Sequence, residues 1–487
     1  MTGSPSFARL QPVTVEFAGE RGGEAPLTWG QRSIWRITRW LEDGDPYFNT
    51  PWVLPVLGRP DLDTVLRALG TLIGRHESLR STCHQTPEGP VQRIASDGRL
   101  TVELVDAGDA VPRQVAAELA DELAATGFDY AGELPLRCAV VTTDGRPRAL
   151  ALALSHLAVD AWALDLLAAE WRRLLAGEEL PPPAWQPMDQ AAFERSDKGA
   201  ERGERALRHW RSVLEQAPGT LFDHPPGTPE DPRFVRVGME SAAVAAAART
   251  LAERWSISTT SVLLTASAVL LTALTGRGTA VMQFIVGNRH DPRLRDMVGT
   301  AVQDGLFVLD LPEGTFADAA RAGHRQALVT YRHAQYEPYA MMALREEAGT
   351  ADLSAYFNDV RTVPAWPNLS AQATRDPAAL TGRTKTFFVG AWAEVDAKVF
   401  FATGPATHTC QLYLLTDTAY LPRSTAYALL RGVETLLVRC VTEEVPLGRV
   451  AEICGLADAL PRGDEMTDGP AGPTAFRTDR ATGLRGE

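Results

Sequence analysis

The 487 residues contain only five cysteines, Cys83, Cys138, Cys410, Cys440 and Cys454, and no two of them stand in a CxxC spacing. An odd count so widely scattered argues against a disulfide framework or a zinc site and favours a reducing compartment. A basic excess is also missing. The 48 Lys and Arg against 61 Asp and Glu leave a formal charge of −13, which argues against a nucleic-acid backbone or an anionic membrane as the main partner. Long apolar runs are absent too: the longest helix-like one, Val262 to Leu274, is too short and too rich in Thr and Ser to span a bilayer. The N-terminal MTGSPSFARLQPVTVEF lacks the basic-then-apolar order of a secretory signal. These absences point to a cytoplasmic protein that binds no metal, no nucleic acid and no membrane.

What is present suits a large folded enzyme. Apolar residues make up 45% of the chain, and its length exceeds what one core usually holds, so two domains of roughly 200 residues each are expected. Residues 1–26 read as an arm with alternating Val13, Val15 and Phe17. A helix follows at Thr28 to Trp40, then one at Asp61 to Arg75 with Leu62, Val65, Leu66, Leu69, Leu72 and Ile73 on one stripe. Further helices and strands alternate to near residue 180, the pattern of an α/β layer. Pro181, Pro182, Pro183 and Pro187 then interrupt helix formation. A charged helical stretch from Asp189 to Glu215 carries Arg202, Arg205, Arg208 and Arg211, which read as a solvated face. The first lobe with this linker helix spans 27–216, the Pro- and Gly-rich segment 217–231 is the expected boundary, and a second lobe covers 232–460. The tail 461–487 is poor in large apolar groups and reads as disordered.

One junction stands out for its chemistry. The strand-like Leu150 to Leu154 leads into Ser155-His156-Leu157-Ala158-Val159-Asp160-Ala161 and then a helix-like run containing Trp162, Leu164, Leu167 and Trp171. A histidine at the end of a buried strand is held by backbone pairing and can project into a cleft, where imidazole is suited to moving protons near neutral pH. Asp160, four residues on, reads as a lock on the loop. Arg75, Glu77 and Arg80 read as a structural ion network. His290 and His333 lack metal-ligand spacing and are expected at the surface.

Taken together, these residues resemble the condensation domains of nonribosomal peptide synthetases, in the chloramphenicol acetyltransferase-like superfamily. Residues 155–161 fall on the family's HHxxxDG motif, and Leu27-Thr28-Trp29-Gly30-Gln31 with Ile34-Trp35 looks like its opening motif. Arg75 to Arg80 is similar to its RHExLR element. Asn288-Arg289 and Val298-Gly299 are similar to the segment before its FVNT motif, here Ala301-Val302-Gln303-Asp304. Tyr336-Glu337-Pro338 and Tyr356-Phe357-Asn358 fall on later elements. The resemblance covers about Leu27 to Glu444.

The resemblance implies two mixed α/β lobes forming a V around a central tunnel, where peptidyl or acyl carrier proteins deliver 4'-phosphopantetheine arms to His156. No cofactor would be bound by the chain itself. His156 would act as general base or as the group that positions the nucleophile. Asp160 would pair with Arg289 from the other lobe, with Ser155 supporting the site and Ala161, Trp162, Gln303 and Asn358 as possible tunnel lining. The expected product is an amide, or less readily an ester, from a carrier-bound acyl or aminoacyl thioester and a small amine, an alcohol or a second carrier-bound substrate. With no adenylation signature and no matching carrier serine in the sequence, a free-standing monomer is expected. Ser155 for the motif's first histidine, Ala161 for its glycine and Gln303-Asp304 for Asn-Thr are departures. They motivate a second expectation, a degenerate fold that docks a carrier or recruits another enzyme. A third keeps the enzyme with a coenzyme A donor.

Overall fold

The computed structural model describes residues 7–39, 41, 44–349, 351–362, 376–404 and 409–456. Trp40 and the tail 461–487 lie outside the described residues. Two compact units emerge, one of residues 1–202 with 287–303, the other of 203–286 with 304–487. The division therefore falls inside a helix rather than in 217–231, and an excursion from the second half of the sequence belongs to the first unit.

The first unit contains the strands β1 (Ala8–Ala18), β2 (Gly23–Pro26), β3 (Asn49–Pro55), β4 (Ser81–Thr86), β5 (Gly89–Ile94), β6 (Asp97–Asp106), β7 (Leu136–Thr143) and β8 (Arg146–Ser155). They form a five-stranded sheet in the order β1-β6-β7-β8-β3 and a three-stranded sheet β2-β5-β4. In the larger sheet only β6 and β7 run parallel. Strand β8 is apolar without a break from Ala149 to Leu154 because both its faces are covered there. Leu150, Leu152 and Leu154 pack with Val65, Leu69 and Leu72 of the helix Leu62–Arg75 and with Leu164 and Trp171 of the helix Ala161–Leu175. Ala149 and Ala151, pointing the other way, pack with Val115 and Leu119 of the helix Pro112–Ala124. The junction at Ser155 thus leaves the C-terminal end of an interior strand of a sheet clamped between helices.

The expected helix from Asp189 to Glu215 is two helices, Pro187–Glu194 and Asp197–Leu214. Ser196 donates to the Phe193 carbonyl at 2.6 Å, and a methyl at Gly199 would lie 2.2 Å from that same oxygen. The chain turns too sharply there for one continuous rod.

The second unit carries β9 (Phe234–Ser241), β10 (Thr279–Val286), β11 (Gln303–Asp310), β12 (Ala355–Asp359), β13 (Lys385–Trp392), β14 (Val399–Gly404) and β15 (Cys410–Asp417). The sheet order is β11-β10-β12-β14-β15-β9-β13; β11 takes only Gln303 from the first unit. Beneath it the helix Thr259–Thr275 is buried on nearly every side, as a helix with apolar residues all round and no charged one requires. Among the described residues no single helix is long and apolar enough to cross a membrane.

Candidate active site

His156 is the first residue beyond β8, whose last residue, Ser155, pairs with Asn49 of β3. Its backbone N–H donates to the Phe48 carbonyl at 2.8 Å, so the sheet edge fixes where the side chain departs. The loop then closes on Ser155: the N–H groups of Ala158 and Val159 donate to its carbonyl at 2.9 and 3.2 Å, and Leu157 N–H donates to its hydroxyl oxygen at 3.2 Å. This tight turn returns the Val159 carbonyl to within 2.7 Å of His156 Nδ1. A carbonyl only accepts, so Nδ1 carries a proton in this contact, and the tautomer it selects has its lone pair at Nε2. The imidazole is half-buried, with the Phe48 ring 6.0 Å away, centroid to centroid, edge-on.

Asp160 holds the far side of the loop. It is buried, caps the helix Ala161–Leu175 by accepting from Ala163 N–H at 2.9 Å, and accepts from Arg289 Nη2 on both oxygens at 2.6 Å. Arg289 also donates to the carbonyls of Leu294 and Met297 at 2.6 Å and of Gly299 at 2.7 Å. The expected pairing is present, but Arg289 sits in the 287–303 excursion that packs with the first unit, rather than in the second. That segment is fastened further by Ala301 N–H to Asp160 at 3.0 Å, by Trp162 Nε1 to the Arg295 carbonyl at 2.8 Å, and by the Thr300 hydroxyl to the His156 carbonyl. Thr300 carried no signal in the sequence, because what it meets is a backbone oxygen.

Trp162 therefore joins the excursion, and Gln303 ends it, buried, with Nε2 3.4 Å from Ser33 Oγ. Ala161 opens its helix outside the left-handed region, so nothing in the backbone there calls for glycine. Asn358 lies on β12, in the second unit. The expected Arg75, Glu77 and Arg80 network separates into three pieces. Arg75 and His76 bind Glu170 at 3.0 and 2.8 Å, and Glu77 binds Arg21. Arg80, buried, donates to the carbonyls of Gly74, Arg21 and Ala95 instead of to a carboxylate. His290 is exposed, whereas His333 is half-buried and stacks on His209 with 4.2 Å between ring centroids. Burial, with His333 adding to it, pushes His209 down to about 4.

Two cavities border the first unit's elements. One of about 510 Å³ is lined by Arg21, Arg75, Arg80, Trp185, Gln186 and Asp189 among others and touches no residue of the motif. Arg21 there pairs with Glu77 and Asp189, and Arg75 with Glu170. A crevice of about 10 Å³ lies behind Ser155, lined also by Ser78, Cys83 and Tyr130; that is room for one water, not a substrate. Burial pushes the Cys83 thiol up to about 12, which leaves it an inert neutral group. Among the described residues no group of three or more His, Cys, Asp or Glu is placed to hold a metal ion.

Residues 22–368 match the condensation domain family model. The chain is 28% identical over 367 residues to the probable non-canonical nonribosomal peptide synthetase CymA of Salinispora arenicola, covering 71% of this chain and 4% of that protein. Thus it spans a small part of the curated relatives it matches. Among solved structures, SgcC5 of Streptomyces globisporus superposes with a TM-score of 0.65 at 21% identity, over 86% of this chain and all of that one. The X-domain solved with OxyB from teicoplanin biosynthesis gives 0.63 at 19%, over 89% and 97%. With a family match over well over half its length, and with the mixed α/β fold of solved condensation domains, the chain belongs to the condensation-domain family.

Proposed function

We propose that the chain is a condensation-type acyltransferase, joining an acyl or aminoacyl thioester on a carrier protein to an amine, in peptide natural-product biosynthesis. Condensation domains of nonribosomal peptide synthetases work with carrier proteins that bear phosphopantetheine, and that group would be the donor arm. The observation that carries the reading is the orientation of His156, whose Nδ1 is committed to Val159 and whose Nε2 makes no hydrogen bond among the described residues. An amine nitrogen attacks the thioester carbon, Nε2 takes the amine's proton, and the tetrahedral intermediate collapses with the proton returned to the departing sulfur. Amide and free thiol result, and atoms balance. Asp160 and Arg289 are positioning residues that keep the loop in this arrangement.

The test is acyl transfer from a loaded carrier protein to a panel of amines, followed by mass spectrometry of carrier and product. His156→Ala is expected to lower turnover about 10²–10⁴-fold in a folded protein; unchanged turnover removes His156 from the chemistry. A second reading, a fold that recruits another protein without catalysis, is favoured by Ser155 at the motif's first position and by the likeness to an X-domain solved in complex with OxyB. It expects carrier binding with no product in either form.

A further inference from the structure

We propose that Thr300 is a positioning residue for His156, acting through the histidine's own carbonyl. The inference rests on the role proposed for His156. The peptide groups around His156 are held from two directions: its N–H by Phe48 of the sheet edge and its C=O by the Thr300 hydroxyl. Thr300 is buried and is itself presented rigidly. The Gly299 carbonyl before it accepts from Arg289 at 2.7 Å, the Ala301 N–H after it donates to Asp160 at 3.0 Å, and Asn288 Nδ2 donates to the Ala301 carbonyl at 2.9 Å. On its other side the helix Trp29–Thr38 comes so near that a methyl at Gly30 would lie 2.3 Å from the Thr300 carbonyl oxygen. The backbone on both sides of Thr300 is thus fastened, and its hydroxyl meets the His156 carbonyl, which the hydrogen bonds of the turn itself do not use. When that donor is lost, the carbonyl must rotate to find another partner, and rotation of this peptide carries His156 away from the Val159 oxygen that fixes its tautomer.

The experiment compares Thr300→Val, which keeps the shape and removes the donor, with Thr300→Ser, which keeps the donor, and with Thr300→Ala as a smaller donor-free variant should valine fail to fold. The valine form is expected to lose roughly tenfold in kcat with KM changed by less than about twofold, and serine to stay within about twofold of the parent. Independently of turnover, nitrogen NMR of the His156 ring is expected to show one Nδ1–H tautomer in the parent and the serine variant, and a mixture in the donor-free variants. A donor-free variant with the parental tautomer overturns the proposal, and so does an equal loss in kcat for serine and valine. A tautomer shift in a protein that transfers no acyl group in any form upholds Thr300 as the positioning residue and counts against the acyltransferase reading instead.

Discussion

Each unit holds a fully buried arginine–aspartate pair among its described residues, and the two are built differently. In the first, Asp160 and Arg289 stand 129 residues apart, and the aspartate also caps a helix and anchors Ala301. In the second, Asp359 and Arg361 are two residues apart, at the end of β12, joined at 2.8 and 2.6 Å, with Thr403 of β14 donating to Asp359. Burial pushes the Asp359 carboxyl up, and the Arg361 charge and hydrogen bonds outweigh it and hold it below the usual range. The local pair secures the end of a strand whose position the sheet already determines. The distant pair ties together pieces that no shared sheet or helix connects, and one of those pieces carries His156. The lesson is that a buried charge in this protein gains structural weight from the sequence distance it closes.

The sharpest way to break that comparison is to remove both aspartates in turn. Asp160→Ala and Asp359→Ala should each cost about 3–5 kcal/mol in urea unfolding, because each strands a buried guanidinium. Turnover corrected for folded fraction should fall only for Asp160→Ala; an equal fall in both would erase the distinction.

The cluster of Glu170 with His76 and Arg75 tests distance without a reactive loop. Burial raises the Glu170 carboxyl, but hydrogen bonds from His76 and Arg75 prevail and bring it from 4.5 to about 2. Its contribution, about 3 kcal/mol at most, is therefore fully present above pH 4.5 and lost as pH falls toward 2. Glu170→Gln should lower stability at pH 6 and converge with the parent near pH 2, with folded-state turnover unchanged. A difference that grows on acidification would contradict the assignment. Gly30→Ala should cost about 1–3 kcal/mol and lower turnover as well, since the added methyl presses on Thr300; thermal melts and transfer assays check both. Smallest of all, Arg208→Ala and Arg211→Ala should each change stability by less than about 0.5 kcal/mol, because their partners Glu204 and Glu347 lie 3.7 and 3.5 Å away on an exposed face.

The sequence made the local parts of this design readable and left the long-range parts hidden. Strand β8 and the helix Leu62–Arg75 could be read from their apolar periodicity, because both faces of one and one stripe of the other meet a core. His156 and Asp160 were visible as a motif, and Arg289 through the family resemblance. That residues 287–303 pack with the first unit was not visible, since nothing in their composition distinguishes a segment that returns to its own sheet from one that leaves it. Nor was Thr300, whose partner is a main-chain oxygen common to every residue type. The break between Glu194 and Asp197 was hidden for a related reason, the close approach of Gly199 to a carbonyl being a matter of chain direction rather than residue class.

The excursion also sets an order of events during synthesis. When Asp160 is added to the growing chain its partner is still 129 residues from being made, an interval of roughly 6–26 s at ordinary translation speeds. Through that interval the nascent first unit can assemble its five-stranded sheet, but the loop bearing His156 has neither Arg289 nor Thr300 to hold it. A chain halted before residue 287 would give a folded sheet with an unset histidine, so the motif reaches its final form only after most of the second unit's first helices have already been translated.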